Sequence, residues 1–319
     1  MPLLPANPRA RKALRYSFTA AVVGVVGWLF TRTLLDNRSD LADVSLRVDG
    51  WIVGAVVLFA LAVTISGQLW GRMTSELSGE HVPAIEGVRV HCASWLLKYI
   101  PGQVGAVANK IAWAQGYGVP KLLVTLTFIY ENLFLLIGSL VPPSLVLLAA
   151  GAFDLGGNQT LLLALASLIP LVALTNRHLF RWITNLLARR VLKREVPPEY
   201  FLRSGQALRY QLLYLIPRVV NGAGFVFIAV SMTAAPAATW LPLASAYIIA
   251  GAVGILAVLV PSGIGVREYV IVLLVAPHLS VEEAIVLSLA ARLYATIADG
   301  IVALIYAALT AAKKRKATT

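Results

Sequence analysis

The sequence predicts an all-α polytopic membrane protein with about six full spans and two re-entrant helical hairpins, arranged as an inverted repeat. Of the 319 side chains, 59% are hydrophobic and only 13% are charged. A soluble domain carries about 25% charged residues, so this chain lacks the polar surface that water requires. Apolar runs near the length of a bilayer span recur along the chain and indicate the same class.

The apolar runs define the expected elements in order. They cover residues 16–35, 50–70, 124–140, 160–174, 212–232, 241–260 and 285–309. The first run follows four basic residues, as in a signal peptide, but no small-residue cleavage site leads into a soluble domain. We therefore expect a retained helix and a single integral membrane domain over residues 1–319.

The net charge of +12 comes mainly from short basic stretches that flank apolar runs. The positive-inside rule places such stretches in the cytoplasm. They are the N-terminus, residues 177–209 and residues 313–316, whereas the acidic loop of residues 36–49 should lie outside. We therefore expect both chain ends in the cytoplasm, the lipid bilayer as a partner and no nucleic acid.

The sequence offers no pattern for a cofactor or a metal. Cys92 is the only cysteine, and the four histidines stand at no metal-ligand spacing with it. A nucleotide-binding loop is also missing from the sequence, which excludes ATP-driven pumping within this chain. His81, His91 and Cys92 precede the first short helix and are expected to be ordinary packing residues.

Two segments resemble each other and predict an internal repeat. From residue 99 the chain reads YIPGQVGAVANKIAWAQGYGVPKLLVTLTFIYENLFLLIG, and from residue 259 it reads LVPSGIGVREYVIVLLVAPHLSVEEAIVLSLAARLYATIADG. Each contains a proline-glycine turn, a helix of about three turns that is too short to span, a break and a long helix. The breaks are expected at residues 116–120 and 277–280.

One charged residue falls at a matching place in each long helix. Glu131 follows Pro101 by 30 positions, and Arg292 follows Pro261 by 31. Both should lie about three turns into their helices and near the same membrane depth.

The repeats are expected at about residues 15–150 and 159–312. Counted from a cytoplasmic N-terminus, each half contains helix, helix, re-entrant pair and helix, and the halves start on opposite sides. Transporters with this layout bring broken helices together near the midplane, where they line a cavity. A full span at residues 241–260, which would give eight spans, remains an alternative.

The same motifs resemble a known family. Residues 97–110 contain Tyr99-Ile-Pro-Gly-Gln-Val-Gly, with Lys110 nine positions after the proline; Glu131 follows in Tyr-Glu-Asn, and Pro261-Ser-Gly-Ile-Gly-Val-Arg-Glu comes later. Over about residues 15–310 this order resembles the lysylphosphatidylglycerol synthase transmembrane family. The chain departs from the usual signatures at three positions, which leaves the substrate headgroup open: Gln103 for lysine, Lys110 for arginine and Ser262 for glycine.

The resemblance implies a lipid translocase, or flippase, in the cytoplasmic membrane of a bacterium or archaeon. Its members include the flippase half of the multiple peptide resistance factor, which moves aminoacylated phosphatidylglycerol between leaflets. This chain ends a few residues after its last apolar run. We therefore expect a stand-alone member without the aminoacyl-transferase domain and without enzymatic activity.

A translocase needs charges in a polar path, because moving a phosphate headgroup through hydrocarbon costs several kcal/mol. Ionisable residues inside or beside the apolar segments are the substrate-binding candidates: Lys110, Glu131, Arg267, Glu268 and Arg292, with Arg218 and Asp299 as further candidates. The alternative is structural. These charges would form ion pairs between the repeats, for instance Glu131 with Arg292 or Arg267, and Arg218 and Asp299 would extend to a membrane surface.

The proline-glycine turns are candidates of a second kind. Pro101, Gly102, Gly263 and Gly265 should leave backbone N–H groups free at the tips of short helices, where helix dipoles favour a phosphate. The alternative is that these turns only permit close helix packing.

Other functions and an oligomer also remain open. A membrane-embedded enzyme acting on a lipid-linked substrate would have to draw its acid-base pair from Glu131 and Glu268. A non-transporting accessory protein of lipid or cell-envelope glycolipid metabolism is the other alternative. The spacing of Gly50 and Gly54 suits close helix contacts and leaves a homodimer open.

Overall fold

The computed structural model describes residues 48–99, 104–151, 169, 173, 175–256 and 265–318. The regular elements in these ranges are helical, which confirms the all-α class. Five helices are long and apolar enough to cross a membrane: Gly50–Ser78, Lys121–Ala149, Pro198–Met232, Ala237–Leu256 and Val281–Lys313. The chain is therefore a multi-pass helical membrane protein. The runs expected at 16–35 and 160–174, and the candidates Pro101, Gly102 and Gly263, lie outside the described residues.

The first set of helices comprises α1 (Gly50–Ser78), α2 (Ala84–Leu96), α3 (Val104–Ala114) and α4 (Lys121–Ala149). Asp49 caps α1 by accepting a hydrogen bond of 2.9 Å from the backbone N–H of Ile52. At 1.5 Å per residue, α2 and α3 are each about 20 Å long or less, too short to cross the roughly 30 Å hydrocarbon core.

A connecting region follows, with α5 (Arg177–Leu192) and α6 (Ser204–Leu213). The helix α5 occupies the basic stretch and exposes Trp182 and Leu187. The apolar run at 212–232 lies within the candidate span Pro198–Met232, where a break at Tyr214 separates α6 from the helix that begins at Leu215. Pro217 accounts for the break, because its ring clashes with the carbonyl four residues earlier and it has no N–H to donate.

The second set comprises α7 (Leu215–Met232), α8 (Trp240–Leu256), α9 (Val266–Val275) and α10 (Val281–Thr318). The helix α9 has 10 residues and is too short to span. With 17 residues, α8 is about 26 Å long, so the alternative of a full span at residues 241–260 stays open. The chain leaves helical structure before both expected breaks, since α3 ends at Ala114 and α9 at Val275.

The two sets pack against each other around a shared core. The most extensive contact joins α1 to α7, and α2 packs on α10 as α8 packs on α4. At the centre, the Tyr247 ring stacks between Phe59 and Phe225, with centroid separations of 5.5 and 4.7 Å. Stacked aromatic pairs contribute about 0.5–1.5 kcal/mol beyond their buried area, so this contact helps to hold the sets together.

Glycines permit the closest helix approaches. A Cβ on Gly87 of α2 would lie 2.8 Å from the carbonyl oxygen of Gly67 and 3.0 Å from the Cα of Gly71, both on α1. A Cβ on Gly54 would lie 2.9 Å from the Phe227 ring of the same chain. Gly54 thus has a packing role inside the chain, and the homodimer stays a prediction.

Candidate functional site: a charged cavity between the helix sets

A cavity of about 600 Å³ lies between the two helix sets, and all eight of their helices contribute to its wall. Its ionisable lining side chains are Lys98, Lys110, Arg218, Arg267, Glu131, Asp299 and His91. Five of these residues are candidates that the sequence indicated separately: Lys110, Glu131, Arg218, Arg267 and Asp299. Helix packing brings them to one site.

Glu131 on α4 forms a buried ion pair with Lys110 on α3, whose ammonium donates to Glu131 Oε2. Only 1% of the Lys110 side chain and 3% of the Glu131 side chain are exposed. The Lys110 ammonium lies 4.4 Å from the centroid of the Trp70 ring, a cation–π contact. Removing two charges from water is costly, and these contacts offset part of that cost.

His91 on α2 completes this cluster. Its Nδ1 atom lies 3.0 Å from Glu131 Oε1 and 3.4 Å from Lys110 Nζ. His91 is buried, as a packing residue would be, and it also contacts the charged pair. Sequence spacing gave no signal for it, because His91 lies 19 positions from Lys110 on a different helix.

A second pair lines the cavity where α2 meets α10. Lys98 Nζ lies 2.7 Å from Asp299 Oδ2 and 2.9 Å from Oδ1, and the indole N–H of Trp95 donates to Oδ1 at 2.7 Å. Asp299 is only 9% exposed. It thus ties α10 to the residues just before the first proline-glycine motif. Lys98 and Trp95 were not among the candidates from the sequence.

Two guanidinium groups in the cavity wall, those of Arg218 and Arg267, do not belong to these ion pairs. Arg218 on α7 is 9% exposed and has Nη1 3.5 Å from Ser139 Oγ, and its Nε has no hydrogen-bond partner within the described part of the chain. The half-buried Arg267 on α9 places Cζ 4.5 Å from the centroid of the Tyr247 ring. None of the ion pairs between described residues includes either arginine.

The charges of the described lining do not balance. Four cationic side chains face two carboxylates, and each carboxylate is already paired with a lysine. The excess is two positive charges, at Arg218 and Arg267. In surroundings of low dielectric, such an excess attracts an anion much more strongly than it would in water.

Arg292 and Glu268 pair with each other, with Arg292 Nη1 2.5 Å from Glu268 Oε1, and neither lines the cavity. The pairing considered between Glu131 and Arg292 or Arg267 is therefore wrong. Lys110 reaches Glu131 from within the first set, and Glu268 reaches Arg292 from within the second. Each set thus contains its own ion pair, between α3 and α4 in the first set and between α9 and α10 in the second.

Gly265 lies at the start of α9 with a φ of 83°, in the left-handed region that glycine adopts without strain. Its N–H donates to Glu268 Oε2 at 2.7 Å. The expectation that this backbone N–H is free to bind phosphate is therefore wrong, because the carboxylate three residues later caps the helix.

A third cluster joins α2 to the end of α10, outside the cavity lining. Glu86 Oε1 lies 2.8 Å from Lys313 Nζ and 3.0 Å from the indole nitrogen of Trp113, and Arg89 Nη2 lies 2.6 Å from the same oxygen. Burial raises the pKa of Glu86, but hydrogen bonds from Arg89 and Lys313 outweigh it and lower the pKa from 4.5 to about 2. The carboxylate is therefore ionised at neutral pH.

Among the residues in the described ranges, no group of three His, Cys, Asp or Glu side chains is arranged to hold a metal ion. Comparison with protein families, curated proteins and solved structures finds no match. The resemblance to the lysylphosphatidylglycerol synthase transmembrane family, carried by the two motifs, stays a prediction.

Proposed function

We propose that this chain is a lipid translocase that moves a phosphate-bearing lipid between membrane leaflets, with the headgroup passing through the central cavity. The observation that carries the proposal is the pair of cavity guanidinium groups, Arg218 and Arg267, that have no carboxylate partner among the described residues. Unpaired charges within a membrane protein are costly and mark substrate paths. A guanidinium also binds phosphate oxygens in a two-pronged geometry.

The size and walls of the cavity suit a lipid headgroup. Its volume of about 600 Å³ lies within the roughly 300–1,000 Å³ of small-molecule sites. Apolar side chains, among them Ile129, Ile248 and Ile255, share the wall with the charges. A headgroup can therefore bind the guanidinium groups while the first carbons of its acyl chains contact apolar side chains.

The helix contacts support an inverted repeat with alternating access. Matching α1–α4 in order with α7–α10 makes α2 correspond to α8 and α4 to α10. The contact between α2 and α10 then corresponds to the contact between α8 and α4, and the structure contains both contacts. The contact of α1 with α10 likewise becomes that of α7 with α4. The ion pair Lys110–Glu131 matches Glu268–Arg292 with the charges exchanged. This correspondence favours a pseudo-two-fold arrangement in which α2–α3 and α8–α9 are re-entrant hairpins on opposite sides.

The enzyme alternative receives less support from the same geometry. Its acid-base pair would be Glu131 and Glu268, but only Glu131 lines the cavity, and each carboxylate is held by a cation of its own helix set. General acid-base catalysis needs both groups within reach of one substrate.

The test is lipid transport by purified protein in unilamellar vesicles, measured as the accessibility of a fluorescent phosphatidylglycerol to an external quencher. We expect wild-type protein to accelerate exchange over protein-free vesicles. Arg218→Gln should slow it about tenfold or more, because a hydrogen bond to a charged group contributes about 1.5–3 kcal/mol. Arg209→Gln is the matched control, since Arg209 forms an exposed pair with Glu76 outside the cavity. Exchange that is no faster with wild-type protein, in the presence or absence of an ion gradient, would exclude the proposed function.

A further inference from the structure

We infer that the transported lipid has a net negative headgroup, with a phosphate and no compensating amine. This inference rests on the proposed function and names the substrate class of the same site. It follows from which charges of the cavity are already neutralised and which are not.

The carboxylates of the described lining are not available to an amine. Glu131 is bonded to the Lys110 ammonium and lies 3.0 Å from His91 Nδ1. Asp299 accepts from both Lys98 and the Trp95 indole. An amine-bearing headgroup would have to displace a lysine from its partner, which leaves one buried ammonium unpaired for each amine that becomes paired.

The guanidinium groups present the opposite situation. Arg218 Nε has no hydrogen-bond partner in the ranges that the structure describes, and Arg267 lies against the uncharged Tyr247 ring. A zwitterionic headgroup brings no net charge and leaves the excess of two positive charges in place. A monoanionic headgroup neutralises half of the excess, and a dianionic one neutralises all of it.

Two stretches outside the described residues are next in sequence to segments that line the cavity. Residues 100–103 read IPGQ, and residues 257–264 read AVLVPSGI. These stretches contain no ionisable side chain, so neither segment supplies a carboxylate for Arg218 or Arg267.

The experiment compares the rates at which the protein exchanges different labelled lipids between leaflets. All vesicles have the same bulk lipid, which carries no net charge. Four labelled probes differ only in the headgroup: phosphatidic acid, phosphatidylglycerol, phosphatidylethanolamine and lysylphosphatidylglycerol. A labelled polyprenyl diphosphate, which also has a different apolar chain, is the fifth probe. We expect each anionic probe to be exchanged at least several-fold faster than phosphatidylethanolamine, and lysylphosphatidylglycerol to be the slowest. The order among the anionic probes then separates a phospholipid from a lipid diphosphate.

A pair of variants ties the preference to the cavity. Arg218→Gln should reduce the ratio of phosphatidylglycerol to phosphatidylethanolamine exchange, and Arg218→Lys, which keeps the charge, should retain most of it. Exchange of phosphatidylethanolamine or lysylphosphatidylglycerol as fast as that of phosphatidylglycerol would overturn the inference and leave the translocase proposal standing. Absence of exchange for every probe would instead overturn the proposed function.

Discussion

Glu131 shows how this protein keeps ionised side chains inside a membrane-embedded helix bundle. Its carboxylate contacts the Lys110 ammonium of α3 and the His91 ring of α2. The Lys110 ammonium also packs on the Trp70 ring of α1. Three neighbouring helices are thereby tied to α4 at one point. Because both charges are almost fully buried, removing one partner leaves the other without compensation.

We predict a non-additive effect of changing this pair. Lys110→Met alone should destabilise the protein by about 3–5 kcal/mol, because it leaves a buried carboxylate unpaired. The double variant Lys110→Met with Glu131→Gln should recover most of that loss. Thermal unfolding of the purified protein in detergent measures the effect. A double variant as unstable as Lys110→Met would show that the ion pair is not the source of the stability.

Sequence alone predicted many charged residues of the cavity but not their partners. Lys110, Glu131 and Arg267 were recognisable because a charge in or beside an apolar run must be paired or hydrated. Partner choice depends on which helix faces pack together, and local sequence does not determine this. His91 and Lys98 were missed for that reason, and Glu131 was matched with the wrong residues.

At the scale of single elements, the short helices depend on close packing against long ones. The α1–α2 contact is made by Gly67, Gly71 and Gly87, where backbone lies against backbone. Small residues of this kind allow helices to approach each other closely. Such packing matters in a membrane because burial of apolar surface contributes little to helix association there.

We predict that Gly87→Ala destabilises the protein by about 1–3 kcal/mol, because its methyl group would meet backbone atoms that cannot move aside. Gly300→Ala on α10 is the matched control, since a Cβ there meets nothing within 4 Å. That change should be neutral or stabilise by about 0.5–1 kcal/mol through helix propensity. Unfolding in detergent compares the two, and equal effects would contradict the packing assignment.

A pH dependence is expected from the cluster that joins α2 to α10. The pKa of Glu86 is lowered from 4.5 to about 2 in the folded protein, so the unfolded chain binds its proton first as the pH falls. The stability that Glu86 contributes is therefore complete above pH 4.5 and is lost between 4.5 and about 2.

The corresponding prediction compares wild-type protein with Glu86→Gln. The wild-type advantage in melting temperature should be largest near neutral pH and should shrink as the pH is lowered below 4.5. Melting curves across this range measure it. A difference that stays constant with pH would mean that the ionised carboxylate is not what stabilises the contact.

The sequence predicted where the short helices end. Gly116 and Pro277 lie in the turns that follow α3 and α9, and glycine and proline favour such turns. Proline does not end every helix of this chain, however, since Pro142 and Pro143 lie inside α4.

At the scale of the whole molecule, the proposed transport requires two matched helix sets with opposite orientations. The positive-inside rule predicts that the basic loop after α5 lies in the cytoplasm and that the turn between α7 and α8 lies outside.

We predict that a cysteine replacing Ala238 is labelled by an impermeant thiol reagent added outside cells. A cysteine replacing Arg194 should be labelled only after permeabilisation. Both positions are exposed, and the native Cys92 is buried, so the background should be low. The reverse labelling pattern would contradict the orientation.

In the proposed mechanism, a lipid phosphate binds Arg218 and Arg267 in the cavity between the two helix sets. The most direct test is a cryo-electron microscopy structure of the protein in nanodiscs that contain phosphatidylglycerol. We predict lipid density in the cavity, with phosphate oxygens within about 3 Å of the guanidinium nitrogens. Lipid confined to the outer surface, with both guanidinium groups bonded to protein or water alone, would contradict it.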